Sequence, residues 1–308
     1  MKSSVAILIG LLFCLLFGCA RSEVSPWGAP AKVSIASGCS LELSSTKLPL
    51  VEASLGESGS GLFLLDTAAA SSMADSRRIL SVGIPARTMA TPVSLMRSGR
   101  VVRRLHDEAT IPSLQFGNVT VHGLRVGVTD LSGIDPALWG ILGMDVLRSV
   151  RWIVDAPSRR LHVLAPNVPW ERAAAECGFV GPWESIPVAA DALGWWVRAT
   201  ARQPAQGAVL EESISLLVDT GSDSTALPAV SILRLGLPTL SFARVVDISG
   251  EHDEERFQLS ELEVGPVRAQ DLRVLREPDE VGLLGFGLMS RRVFLVDGPA
   301  AGLRVLTR

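Results

Sequence analysis

The chain carries an internal repeat, and no other feature limits its possible folds as strongly. Leu62-Phe-Leu-Leu-Asp66-Thr67-Ala68-Ala69 returns as Ile214-Ser-Leu-Leu-Val-Asp219-Thr220-Gly221-Ser222. Trp139-Gly-Ile-Leu-Gly143-Met-Asp-Val-Leu147 returns as Val281-Gly-Leu-Leu-Gly285-Phe-Gly-Leu-Met289. Trp152-Ile-Val-Asp155 with Leu161-His-Val-Leu164 returns as Val293-Phe-Leu-Val-Asp297 with Leu303-Arg-Val-Leu306. Asp219 follows Asp66 by 153 residues and Gly285 follows Gly143 by 142, so three motifs keep one order with similar spacing. Apolar strands resemble one another by chance; embedded Asp-Thr pairs and glycines in step do not. Two homologous lobes follow. The expected division is a leader at 1–18, a tether at 19–36, a first lobe at 37–165 and a second at 166–308, with the Pro-rich stretch 165–183 as linker.

Between the motifs, runs of strand length such as Leu48 to Ala53, Gly61 to Leu65, Val119 to Val128 and Arg151 to Val154 are rich in β-branched residues. The 28 Gly and 18 Pro suit many short strands joined by turns. Helical patterns are short, at Ser76 to Leu80 and Ala229 to Leu235. Charged residues at 20% against 47% hydrophobic exclude wholesale disorder. A net charge of −3 argues against a nucleic-acid partner held by electrostatics. The histidines His106, His122, His162 and His252 are scattered without ligand spacing, so no metal is expected. Gly56 to Gly61 lies between two strands and opens no helix, so it reads as a hairpin turn rather than a phosphate loop.

A carboxylate at the end of an apolar strand is costly unless it is paired or hydrogen-bonded. Here one stands in each lobe after the same strand. If the lobes pack about a pseudo-twofold axis, the two turns meet and bring Asp66 and Asp219 together. Two carboxylates at short range cannot both ionise, so they share a proton. One then acts as general base on a water while the other protonates a carbonyl. That chemistry needs no metal, cofactor or covalent nucleophile.

This pattern resembles the aspartic peptidase superfamily of pepsins and retroviral proteases, and Ile141 to Leu147 is particularly similar to the retropepsin segment behind the active-site turn. The resemblance implies an all-β, bilobal aspartic-protease fold: two homologous β-barrel-like lobes with a cleft between them. It implies Asp66 and Asp219 as the catalytic pair, Thr67 and Thr220 hydrogen-bonded across the lobes, and Gly143 and Gly285 packed closely behind the turns. Ser222 is expected to hydrogen-bond its own carboxylate. Flap hairpins are expected around Gly99 and Gly250, with ordinary exposed turns as the alternative. The chain has no Tyr, so its flaps are expected to be closer to the glycine-based retropepsin style, or to be altered. The implied partner is an extended peptide or protein substrate, and the chain is expected to be a monomer. One departure divides the functional readings. Ala68 stands where the second turn has Gly221, with its methyl expected to face the cleft. The chain is therefore read as an aspartic endopeptidase, with a non-catalytic peptide-binding pseudoprotease as rival and a structural envelope lipoprotein as a third reading.

The leader begins Met1-Lys2 and runs through apolar Val5 to Phe17, too short for an ordinary spanning helix. Leu16-Phe-Gly-Cys19 resembles the lipobox of bacterial lipoproteins, which implies cleavage before Cys19, acylation of Cys19 and a lipid bilayer as partner. The expected location is the bacterial cell envelope, periplasmic or outer-membrane associated; a plain signal peptide is the alternative. Cys14 leaves with the leader. Cys39 and Cys177 remain as a disulfide or as two separate thiols.

Overall fold

The computed structural model describes residues 6–7, 31–36, 39–45, 47–97, 100–165, 167–191, 194–205, 207–278 and 280–307. Cys19 and Gly99 lie outside them. The apolar runs become strands in three sheets. The first-lobe sheet runs in the order Lys32–Ile35, Val119–Thr129, Met73–Asp75, Leu138–Leu142, Ser60–Leu65, Leu50–Ser54, Arg100–Phe116, Ala86–Arg97. Val119–Thr129 also pairs with Arg100–Phe116, which curls the sheet on itself. The second-lobe sheet runs Thr239–Asp247, Gly250–Val264, Val267–Glu277, Ala226–Pro228, Gly282–Gly285, Ala208–Asp219, Trp195–Ala205, Val188–Ala190, and is curled by pairing of Gly250–Val264 with Trp195–Ala205. Ala6–Ile7 adds a two-residue parallel strand outside Thr239–Asp247.

Both lobes use one unusual connection. Ser60–Leu65 lies parallel to Leu138–Leu142, and Ala208–Asp219 lies parallel to Gly282–Gly285. A short strand fills the far side of each later partner, antiparallel to it: Met73–Asp75 in the first lobe and Ala226–Pro228 in the second. Each Asp turn is thus held at the end of a central strand, with neighbours on both sides.

A six-stranded sheet joins the lobes, in the order Trp183–Ile186, Gly302–Leu306, Val293–Asp297, Arg151–Asp155, Arg160–Leu164, Cys39–Glu42. At its middle, Arg151 pairs with Asp297, Ile153 with Leu295 and Asp155 with Val293. Leu295 follows Ile153 by 142 residues, the offset that also separates Gly285 from Gly143. The pairing is therefore reciprocal, and the pseudo-twofold axis passes between Ile153 and Leu295. The main core runs from lobe to lobe beneath this sheet and contains fully buried Phe63, Phe116, Trp152, Trp195, Phe286 and Phe294.

Three expectations change. Lys32–Ile35, placed in the tether, is a strand registered from Lys32 opposite His122 to Ile35 opposite Val119; its alternating burial is that of a one-sided edge strand. The linker contains a helix, Trp170–Glu176, whose Ala173 and Ala174 pack on the interlobe sheet. Cys177 caps that helix as a free thiol, so the Cys39–Cys177 bridge is not formed here. Cys39 pairs with Val163 in the interlobe sheet, and Cys177 packs with Ile153 and Leu164. Burial, then the charge of Glu176, raises the Cys177 pKa.

The interlobe sheet holds one well-buried ion pair. Arg151 Nε lies 3.1 Å from Asp297 Oδ1, and Arg304 Nη1 lies 3.7 Å from Asp297 Oδ2. Removing one partner of such a pair strands the other in a poorly solvated place. Asp297→Ala is expected to lower unfolding stability by ~3 kcal/mol. Arg172→Ala, in an exposed pair with Glu176, is expected to cost under ~0.5 kcal/mol. Urea midpoints of the two variants, at equal slope, check the contrast.

Candidate active site

The two Asp turns meet where the lobes touch, and their threonines clasp reciprocally. Thr67 N donates to Thr220 Oγ1 at 3.0 Å, and Thr220 N donates to Thr67 Oγ1 at 3.1 Å. Each hydroxyl then donates across the interface at 2.7 Å, Thr67 Oγ1 to the Val218 carbonyl and Thr220 Oγ1 to the Leu65 carbonyl. All of these groups are buried. The pattern uses the same atoms twice, as a pseudo-twofold axis between the turns requires.

The segments behind the turns repeat as well. Met144 N donates to the Ala69 carbonyl and Phe286 N to the Ser222 carbonyl. Gly143 N donates to Ser72 Oγ and Gly285 N to Thr225 Oγ1. A Cβ on Gly143 would lie 2.6 Å from the Ala69 carbonyl oxygen, and one on Gly285 would lie 2.2 Å from that of Ser224. Glycine is needed at both positions so that the later strand can approach the turn. Ser72 and Thr225 were not singled out from the sequence, although they stand 153 residues apart, in step with the two aspartates.

Asp66 and Asp219 are completely enclosed, yet their surroundings differ. Asp66 Oδ1 accepts from Ala68 N at 2.8 Å and from Ala69 N at 3.1 Å. At Asp219 the amides of Gly221 and Ser222 act on the carboxyl in the same sense and pull its pKa down, though neither forms as short and well-aligned a bond as those at Asp66. The carboxyls are close enough for one proton to bridge them. Burial pushes Asp66 up to about 7, against the pull of its two turn amides. Asp219 is pushed well above the ordinary carboxylate range, first by burial and then by the charge of Asp66. Both carboxyls are thus raised, and the pair is set to hold one proton between them.

The two turns differ in sequence at residue 68. Neither Ala68 nor Gly221 has positive φ, so alanine costs no backbone strain. Side-chain space decides instead. A Cβ on Gly221 would lie 2.5 Å from Asp66 Cγ. The pseudo-twofold axis relates that place to the Ala68 methyl, on the Asp219 side. Ala68 is buried with Leu217, Ala243, Val245 and Leu283 of the second lobe, not turned to an open cleft as expected. The two carboxyls thus share the same kind of turn, with a glycine against Asp66 and an alanine at the counterpart position.

Ser222 also departs from expectation. Its hydroxyl donates to the Ser224 carbonyl at 2.8 Å and accepts from Ser224 N at 3.2 Å, closing a local turn instead of reaching Asp219. A carboxylate that the repeat hides stands in the first lobe. Asp145 accepts from Ser72 N at 2.9 Å and from Ser72 Oγ at 2.7 Å, bracing the loop after Asp66. Burial pushes it up to about 6. Its counterpart is Gly287, where a Cβ would lie 2.2 Å from the Asp223 carbonyl oxygen. Gly250 sits at φ 118° just past the Ile248-Ser249 tip of the hairpin Thr239–Asp247 and Gly250–Val264. Among the described residues no cluster of His, Cys, Asp and Glu could hold a metal ion.

The raised Asp66 pKa sets a stability slope. The folded chain keeps a proton that the unfolded chain releases near 3.8, so this group's contribution falls as pH rises from about 4 to about 7. Urea unfolding at pH 5 and pH 8 is expected to show a larger loss in the native chain than in Asp66→Asn.

Residues 51–146 match the family described as "Aspartyl protease", and residues 205–291 match "gag-polyprotein putative aspartyl protease". Each match contains one Asp turn. No curated protein matches by sequence. Among solved structures, an aspartic proteinase from Irpex lacteus superposes with a TM-score of 0.52 at 12% identity, over 88% of this chain and 97% of that one. Two matched halves, each ending a central strand in an Asp-Thr turn, and an all-β bilobal fold shared with a pepsin-like enzyme agree: the chain belongs to the pepsin/retropepsin-like superfamily of aspartic peptidases.

Proposed function

We propose that the chain is an active aspartic endopeptidase, with Asp66 as general base and Asp219 as general acid. The observation that carries this reading is the enclosed carboxyl pair with unequal surroundings. Asp66 takes a proton from a water whose oxygen bonds to the scissile carbonyl carbon. Asp219 gives its proton to the carbonyl oxygen, and a neutral diol results. On collapse the C–N bond breaks, the proton on Asp66 goes to the leaving nitrogen, and a diol hydroxyl returns a proton to Asp219. Each carboxyl ends as it began. The threonine clasp keeps both groups in place, so little reorganisation is needed at the reacting step.

The pseudoprotease reading rests on Ala68. Against it stands the absence of backbone strain there and the intact clasp beneath both aspartates. Ala68 leaves both carboxyls enclosed at the meeting of the two turns. We further propose that the chain works in the bacterial cell envelope, held to a bilayer by acylated Cys19, a reading that the leader pattern supports.

Digestion of a peptide library by the chain without its leader tests the activity. Cleavage is expected, and Asp66→Asn and Asp219→Asn are each expected to lower kcat by at least about a thousandfold with the fold intact. Cleavage surviving in either variant would end the two-carboxyl mechanism. The acid limb of kcat/KM is expected near pH 7, where Asp66 takes up its proton, so activity falls as pH drops below that value. Ala68→Gly, which makes the two turns alike at this position and removes a methyl near the carboxyls, is expected to raise kcat. For the anchor, Cys19→Ser in the full chain is expected to abolish acyl labelling and release the protein from membranes.

A further inference from the structure

A cavity of about 460 Å³ opens on the face of the interlobe sheet away from the main core, within the range of roughly 300–1,000 Å³ that small-molecule sites occupy. The strand Arg160–Leu164 shows which face. Leu161 and Val163 belong to the main core, so His162 and Leu164 lie on the other side, where Leu164 packs with Ile153, Cys177 and Leu306. Asp155, two residues after Ile153, and Arg160, two before His162, share that side. Phe179 and Val180 of the linker and Leu306 of the second lobe supply the apolar wall. No residue of either Asp turn lines the cavity.

Three polar side chains of this cavity are left without each other. Asp155 and Arg160 stand directly opposite in the strand register, where opposite charges ordinarily pair. Here Asp155 Oδ1 accepts from Ser158 N at 3.3 Å and Arg160 Nη1 donates to Ser40 Oγ at 3.2 Å, and no ion pair joins the two among the described residues. His162 is 9% exposed and meets Phe179 edge to face, with ring centres 4.9 Å apart. Its ring makes no hydrogen bond to another described residue, which is unusual for a buried polar group. Burial holds the His162 pKa below its usual value, while the nearby charges of Asp155 and Arg160 oppose one another, so the neutral ring can both donate and accept. We infer that the cavity binds a free α-amino acid with an apolar side chain. Arg160 takes the carboxylate, Asp155 takes the ammonium, and Phe179, Val180 and Leu306 receive the side chain. An α-amino acid carries both charges on one carbon, which suits a guanidinium and a carboxylate that are nearest neighbours across a strand pair. The His162 ring adds one further hydrogen bond to the head group. The occupant touches first-lobe strands, linker and second lobe together. This site uses no group of the dyad, so it stands whether or not the chain cleaves peptides.

Calorimetry of the full chain with L-leucine tests the site, with Asp219→Asn as a second background in which cleavage plays no part. Saturable binding of equal strength is expected in both. Leucinamide, which lacks the carboxylate, and isocaproate, which lacks the ammonium, are each expected to bind at least about tenfold more weakly. Leucine is expected to bind Arg160→Gln and Asp155→Asn at least about tenfold more weakly than the native chain. Both substitutions lie outside the core, so the variants are expected to keep the native urea midpoint. Cys177 lines the cavity, so its alkylation, located by peptide mass, is expected to slow when leucine is bound. No saturable binding up to about 10 mM overturns the inference, as does equal affinity in the native chain and both variants. Leucinamide and isocaproate binding as tightly as leucine overturn the zwitterion assignment, and binding of the dipeptide of leucine without binding of leucine overturns the single amino acid. Unchanged Cys177 alkylation at saturating leucine puts the ligand elsewhere and overturns the site. Binding by a chain that cleaves no peptide upholds the site and counts against the peptidase reading alone.

Discussion

The reciprocal threonine clasp is the contact on which the rest of the architecture depends. Thr67 and Thr220 each accept the other's amide and donate to a carbonyl of the opposite strand. Every group is buried, so a broken link would leave polar atoms without water, at ~1–3 kcal/mol each. The second tie lies along the same axis, where the interlobe sheet pairs Ile153 with Leu295. Two ties at different places on one axis remove the freedom of the lobes to roll against one another. The carboxyl positions then follow from geometry, because each Asp directly precedes a clasped threonine.

Symmetry places the carboxyls but cannot give them different tasks. A dyad with identical halves would hold its proton on either side equally. The chain breaks its own symmetry at three nearby positions: Ala68 against Gly221, Ala69 against Ser222, and Asp145 against Gly287. The first acts most directly, since residue 221 abuts the Asp66 carboxyl and residue 68 is its counterpart. The third works on the scaffold. A carboxylate under Ser72 holds the first turn by charge-assisted bonds, while the second turn is held by close backbone approach over Gly287.

The repeat made the fold class, the aspartates, the threonines and the supporting glycines legible, because each of these residues acts through the backbone in the same way in both lobes. Residues that act in one lobe only were not legible. Asp145 has a glycine as counterpart and so carries no echo. Ser222 was misread because a hydroxyl chooses between a carboxylate and its own local turn on differences of an ångström, which sequence does not supply. The alternation in Lys32–Ile35 was readable as a strand but was obscured by the Ser, Pro and Gly around it. Burial of Ile248 lay beyond reach, since a turn residue is buried only by something far away in sequence, here the opposite lobe.

Enclosure of the dyad ties these features together. Burial is the first cause of the raised pKa of both aspartates, so any motion that admits water lowers both values and favours loss of the shared proton.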